Sequence, residues 1–198
     1  GSTSNFVSQC DSVSNTACAA FSPLYAGMGN ALDFDGVNDF IDNVPVNINS
    51  SITPNLTVEM WVKRTGAVDE AFHQLWGNDN GGFDKALNII ASGEYRIFAN
   101  SDVATGVFST LNEWEHIAVT MTASNIKLYK NGELAYTRGS GIVANSGTSI
   151  MAIGAIATPN FFFDGQIDEV RIWSKELTAN EIQNNYRIRP DTSDATLQ

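Results

Sequence analysis

Phe163-Asp164-Gly165-Gln166-Ile167-Asp168-Glu169-Val170-Arg171-Ile172-Trp173 is the stretch on which the reading of this chain turns. Read with a period of two, Ile167, Glu169, Arg171 and Trp173 point one way, and Asp168, Val170 and Ile172 the other. That alternation is the signature of a β-strand. Carboxylates and a guanidinium within an otherwise apolar strand must be paired, hydrated or metal-bound, because a lone buried charge is expensive. The stretch is expected to be the late strand of a β-sandwich. It would lie beside the first strands of the domain and hold the chain's end to its start.

Working outward, the same period recurs upstream. Leu56, Val58, Met60 and Val62 face one side of a strand, with Thr57, Glu59, Trp61 and Lys63 on the other. Ala31 to Asp35 and Asp39 to Asp42 read as short strands about a Gly36-Val37-Asn38 turn. Phe72 to Trp76 is a further strand, running into the polar loop Gly77-Asn78-Asp79-Asn80-Gly81-Gly82. Leu87 to Ala91 and Tyr95 to Ala99 form a hairpin around Ser92-Gly93. Glu113 to Thr122 is a long strand, and Ile150 to Ala155 a shorter one. Ile126 to Tyr129 and Leu134 to Thr137 flank Asn131-Gly132, the strongest short hairpin signal in the chain. Downstream of Trp173 the period changes. Thr178-Ala179-Asn180-Glu181 reads as a capping box, with Ile182 and Tyr186 on one helix face. About a dozen short strands and one terminal helix predict an all-β, two-sheet antiparallel sandwich.

Composition bounds the function. The chain has 198 residues, 43% hydrophobic and 17% charged, enough for one sizeable domain with its own core. Residues 1–28 read as a linker or N-terminal extension, 29–188 as the domain, and 189–198 as a tail. The net charge of −11 disfavours nucleic acid, whose phosphates an acidic surface repels. No apolar run is long enough to insert into a membrane. The two cysteines, Cys10 and Cys18, are separated by seven residues in a Ser/Asn/Ala-rich segment. They form either a local disulfide, which suits an oxidising, extracytoplasmic setting, or two free thiols in a loose segment.

Several of these pieces together resemble one family. They are Ala31-Leu32-Asp33-Phe34-Asp35-Gly36-Val37-Asn38-Asp39-Phe40-Ile41; Leu56 to Lys63; Glu113-Trp114-Glu115-His116-Ile117-Ala118-Val119-Thr120 with Leu128-Tyr129-Lys130-Asn131-Gly132; and Phe163 to Trp173 with the capped helix. In order and spacing, over residues 29 to 187, they resemble the laminin-G-like, concanavalin A-like jelly-roll superfamily. The likeness is to its pentraxin-related branch, common in bacterial secreted and surface proteins. The resemblance implies a jelly-roll sandwich with one short C-terminal helix. It leaves function open among lectins, adhesion modules, carbohydrate-binding appendages and enzymes.

Similar sandwiches often bind Ca²⁺ where the first strands meet the last. Here that implies Asp35, Gly36 and Asp39 on one side and Asp168 on the other, with oxygen ligands suited to the ion. The competing reading of Asp35 and Asp39 is a pair of Asx turns. Asn78-Asp79-Asn80 with Asp84 is a second metal candidate, or a solvated turn.

The glycan-degrading relatives carry three alternating acids on one strand, and two carboxylates must flank the bond that breaks. No strand here has three; Glu113 and Glu115 alternate around Trp114. The two histidines, His73 and His116, sit on separate strands and read as packed rather than catalytic. Glu59 and Arg171 are expected to form a half-buried ion pair across the sheet. Sugar contact uses aromatic faces beside planar polar groups, and the candidates are Trp76, Asn78, Asp79, Asn80, Phe83, Phe161 and Phe162. Three successive Phe residues at 161–163 cannot all face inward, so at least one is exposed or loop-bound. The reading is a non-catalytic binding module at the cell surface or outside the cell, with a glycan as partner. An adhesion module binding a cell-surface protein is the first alternative, and a polysaccharide-degrading enzyme the second.

Overall fold

In a computed structural model, residues 31–66, 72–78, 85–99, 101–141, 151–156, 160–187 and 193–198 are described. Along them run β1 (Leu32–Asp35), β2 (Ile41–Val44), β3 (Leu56–Arg64), β4 (His73–Gly77), β5 (Lys85–Ile89) and β6 (Glu94–Ala99). Then come β7 (Asp102–Phe108), β8 (Glu115–Met121), β9 (Ile126–Lys130), β10 (Glu133–Arg138), β11 (Met151–Ile153), β12 (Asp164–Trp173) and α1 (Ala179–Arg187). The strands form two antiparallel six-stranded sheets. Sheet I has the order β1-β12-β3-β8-β9-β10 and sheet II the order β2-β11-β4-β5-β6-β7. This is the jelly-roll sandwich the sequence predicted.

The opening stretch lies inside sheet I, with β1 on one side and β3 on the other. It therefore does tie chain end to chain start. The partner is β1 alone, because β2 crosses to sheet II. Gly165 is needed there. It sits between the two neighbouring strands at φ 151°, and a Cβ on it would come within 2.2 Å of the Lys63 carbonyl oxygen.

The simple alternation expected for β12 does not hold. A bulge falls between Asp168 and Arg171, with Glu169 at φ 51°. Ahead of it Ile167 pairs with Val62; after it Ile172 pairs with Val58 and Arg171 with Glu59. The extra residue resets the parity. Ile167 and Ile172 both join the core, while Asp168, Arg171 and Trp173 share the outer face with Trp61, Glu59 and Thr57.

The core between the sheets is built from inward residues such as Val58, Met60, Leu87, Ile97, Val119 and Phe163, each less than 2% exposed. Each such side chain contributes roughly 1.5–3 kcal/mol by leaving water. A second apolar cluster of Ala118, Tyr129, Trp173, Leu177 and Ile182 lies on the outer face of sheet I, beneath α1. The capping box forms as read. Glu181 N donates to Thr178 Oγ1 at 3.2 Å, and Thr178 N donates to Glu181 Oε2 at 2.7 Å. The Asn131-Gly132 turn joins β9 to β10 with φ 54° and 81°, the left-handed pair that a two-residue hairpin requires.

Two expectations need revision. Strand β7 had no counterpart in the sequence reading. The segment read as a tail is docked over 193–198: Ser174 N donates to Thr196 O at 2.7 Å, and Gln198 N to Ile172 O at 2.9 Å. Cys10 and Cys18 lie outside the described residues, as do 1–30. No described helix is long and apolar enough to cross a membrane.

Candidate functional site

The outer faces of the two sheets differ. On sheet I, α1 covers a polar cluster. Glu59 is fully buried, and its Oε1 accepts from Asn185 Nδ2 (2.9 Å), Trp173 Nε1 (3.1 Å) and Arg171 Nη1 (3.4 Å). The expected Glu59–Arg171 pair is therefore present, and it is buried rather than half-buried. Burial pushes the Glu59 carboxyl up, against the pull of Arg171. His116 is stacked among Trp61 and Tyr186, with centroids 5.5 and 5.7 Å away. Its Nε2 is 3.7 Å from Glu59 Oε2, too far for a hydrogen bond. Neither that oxygen nor either ring nitrogen of His116 has a partner among the described residues. Burial, helped by the Arg171 charge, pulls the His116 pKa down to about 3, so the ring is neutral. A neutral histidine sealed under a helix is poorly placed to act as a base.

Glu115, half of the alternating acid pair, is also structural. It faces the core, accepts from Tyr95 Oη at 2.7 Å and Thr110 N at 2.8 Å, and sits 2.7 Å from Lys130 Nζ. Glu113 is exposed on the chain before β8.

Among the described residues no helix covers sheet II in this way. Leu75, Trp76, Leu87, Ile89, Tyr95 and Ile97 turn into the core, and Gln74, Asn88, Arg96 and Phe98 turn out. Over the outward set lies a cavity of about 180 Å³. Phe72 and Phe161 wall it edge to face, centroids 5.9 Å apart at 78°. Ala86, Phe98 and Ile156 supply further apolar surface, and Gln74, Asn88 and Asp102 the polar groups. Gln74 is held by donation from its Nε2 to the Ala155 carbonyl at 2.8 Å. Asp102 receives Arg96 Nε at 3.1 Å and a second, short contact from Nη2; Arg96 Nη1 reaches Glu94 at 3.4 Å. Asn88 is 7% exposed, and its amide makes no hydrogen bond to any other described residue. The amide atoms are not sealed from solvent, so water can serve them in the free protein and a ligand can take that water's place.

The ligand residues read from sequence are dispersed. Phe161 lines the cavity. Phe162 packs on Phe40 at 6.1 Å, and Phe163 enters the core against Phe34. Trp76, expected at a ligand edge, is fully buried. A bulge between Gln74 and Trp76 turns it inward onto Leu87. Asn78 is buried as well, and its Oδ1 accepts from Lys85 N at 2.8 Å, a structural task. Asp79, Asn80 and Phe83, with Asp84, lie outside the described residues. Gln74 and Asn88 were missed because each looks like an ordinary outward polar residue on a strand, and Asp102 because the strand that carries it was not read. Only the alternation Leu87-Asn88-Ile89 signalled that Asn88 sits on the outer face.

The residues named for Ca²⁺ do not form one coordination sphere. Asp35 pairs with Asp164, and Asp168 lies four residues further along β12, about 13 Å away. Asp35 Oδ1 accepts from Val37 N and Asn38 N at 2.9 and 3.1 Å, and these bonds hold its carboxyl below the usual range. Asp39 Oδ2 accepts from Asp35 N at 3.1 Å. Asp168 is buried on the outer face of sheet I, accepts from Glu169 N at 2.8 Å, and has its pKa raised by burial. Gly36 N donates to the Phe163 carbonyl at 3.1 Å, closing the turn. The turn geometry of Asp35 and Asp39 is that of an Asx loop. No group of three or more metal-binding side chains occurs among the described residues.

A jelly roll with a helix on one sheet and an aromatic-walled cavity on the other defines a lectin-like β-sandwich. The chain belongs to the concanavalin A-like lectin/glucanases superfamily, whose pattern matches residues 35–183. Among solved structures it is similar to a pentraxin of Limulus polyphemus. That match has 15% identity and a TM-score of 0.63, covering 81% of this chain and 84% of the other. It is also similar to domain 4 of an extracellular arabinanase from Geobacillus stearothermophilus, solved with arabinotriose. There the identity is 16% and the TM-score 0.62, over 82% and 79% of the two chains. Trypanosoma rangeli sialidase matches at 17% identity and a TM-score of 0.61, over 80% of this chain but 27% of that one. No curated protein sequence matches it.

Proposed function

We propose that the protein is a non-catalytic carbohydrate-binding module of a secreted or cell-surface protein, holding its ligand in the cavity on the outer face of sheet II. The observation that carries this reading is Asn88. This largely buried residue lines an aromatic-walled cavity, and its amide, without a partner among the described residues, has a donor and an acceptor to offer sugar hydroxyls. Phe72 and Phe161 give the ring faces an apolar surface to lie against. The arabinanase domain solved with arabinotriose supports the same reading by likeness of fold. Hydrolysis of a glycan needs two carboxylates at the bond, and among the described residues lining the cavity Asp102 is the one acid.

Glycan-array retention followed by titration calorimetry tests the proposal. Asn88→Ala is expected to weaken binding by roughly tenfold or more, the size of one well-made polar contact to a ligand. Chelation is expected to leave the affinity unchanged, because no metal ligand is among the contacts invoked. If no sugar is retained, or if Asn88→Ala binds as tightly as the wild type, the site assignment fails. The adhesion reading then takes its place.

A further inference from the structure

Resting on that reading, we propose that the cavity selects the uncharged terminal ring of a glycan and rejects acidic sugars, with Asp102 setting this selectivity.

Size argues for one ring. A cavity of about 150 Å³ accommodates a benzene molecule; this one is about 180 Å³ and is lined partly by aromatic side chains. A single six-membered sugar ring fits that space, and a longer chain would have to run out over the rim.

Charge argues against an acid. Arg96, paired with Asn88 across β5 and β6, is the cation beside the cavity. Its guanidinium is taken up on two sides. Asp102 receives Nε and Nη2, and Glu94 receives Nη1. Glu94 is itself fixed by the Gly106 N–H at 2.8 Å. One cation and two carboxylates leave a local charge of −1, and Asp102 carries its share into the lining of the cavity. A sugar carboxylate placed there meets a like charge and, among the described residues, no free cation. It has no proton to donate to the Asp102 oxygens. A neutral ring offers hydroxyl protons to Asp102 and to the Asn88 carbonyl oxygen, and hydroxyl oxygens to the Asn88 N–H groups.

The test is calorimetry on the wild type, Asp102→Asn and Asn88→Ala. The probes are two oligosaccharide sets matched in length, one ending in neutral hexoses or pentoses and one capped by a uronic acid. Asp102 lies on an edge strand with its side chain 37% exposed, so the Asn variant is expected to fold. The wild type should hold neutral ends through Asn88 and not the uronate caps. Asp102→Asn should raise affinity for the uronate caps roughly tenfold, the worth of one partly screened like-charge contact. Wild-type binding of uronate caps that depends on Asn88 would overturn the selectivity while leaving the glycan site intact. Neutral binding with uronate rejection unchanged in Asp102→Asn would overturn the role of Asp102. No binding of either set would remove the glycan reading and the selectivity with it.

Discussion

The two outer faces of this sandwich place polar residues among apolar ones in the same way, and to opposite ends. Under α1, Glu59, Arg171, Trp173 and Asn185 are joined around one carboxylate oxygen, which accepts from the other three. On sheet II, Gln74 and the Arg96–Asp102 pair are tied down, but the Asn88 amide is left open to a cavity. On the covered face the charges serve the protein's own packing and fix how the chain's end sits on the sheet. On the face of sheet II the Asn88 amide has no partner among the described residues and borders a cavity, where the proposed ligand would meet it. The difference teaches that burial alone does not mark a site; burial together with an unmet bond and access does.

The comparison is broken most directly at Glu59. Glu59→Ala removes the shared acceptor and orphans Arg171 below the helix. Losing one partner of a buried pair costs about 3–5 kcal/mol. Urea unfolding of this variant should show that loss, and Glu59→Gln, which keeps an acceptor oxygen, a smaller one. An unchanged midpoint for Glu59→Ala would mean that α1 is not held by this cluster.

The second break is a proton. His116 titrates near 6.5 in the unfolded chain and at about 3 in the folded protein. Between these values the unfolded state binds the extra proton, so stability falls as the pH is lowered. From pH 6.5 to 4.5 this amounts to about 2 kcal/mol. Glu59 acts with the opposite sign. Its carboxyl is raised, so the folded state keeps a proton above pH 4.5 that the unfolded state has released, and stability falls as the pH rises. His116→Gln should therefore abolish the loss on acidification and leave the slope due to Glu59. Matching urea midpoints against pH for variant and wild type would show that His116 is not sealed from solvent.

How much of this was legible in the sequence follows from the same two faces. The strict alternation of Leu56 to Lys63, the Asn131-Gly132 turn, the Thr178–Glu181 box and the Glu59–Arg171 pair are local patterns or single cross-strand neighbours, and all appear in the structure. The two misread faces, on β12 and β4, have one physical cause. A bulge adds one residue to a strand and reverses every side chain beyond it, and no residue type announces it. The bulge at Asp168–Arg171 sends Ile167 and Trp173 to opposite faces. The bulge at Gln74–Trp76 buries the tryptophan that looked most suited to a sugar. Strand β7 was overlooked because its outward positions, Ala104 and Gly106, are too small to mark an amphipathic strand, and Asp102 was overlooked with it. Of the expected ligand residues that are described, Phe161 alone reached the cavity. That Asn88 has no partner among the described residues is a fact of three dimensions, carried by no motif.

The third break is smaller and tests how far the helix owes its place to its own end. Thr178→Ala deletes the hydroxyl that accepts from Glu181 N and donates to Glu181 Oε2, while the backbone N–H bond from position 178 to Glu181 stays. A lost N-cap costs about 1 kcal/mol. If the cluster around Glu59 is what seats α1, Thr178→Ala should lower the urea midpoint by that amount and leave the acid slope of His116 unchanged. A changed slope would mean that the cap, and not the charge cluster, keeps water from His116.

The smallest stability effect belongs on the open face, and its smallness is the point. Asn88→Ala breaks no hydrogen bond within the described protein, and it removes an amide that still reaches solvent at the cavity. Its effect on unfolding free energy should lie within about 0.5 kcal/mol of zero, of either sign. Residues kept for binding are commonly neutral or unfavourable for stability, because selection retains them for contacts the free protein does not make. Glu59→Ala and Asn88→Ala remove side chains of similar burial, so the contrast between them isolates what differs, namely whether the partner lies inside the molecule. A loss of 2 kcal/mol or more for Asn88→Ala, measured by urea unfolding without ligand, would show that the amide already serves the fold, and the two faces would then be alike.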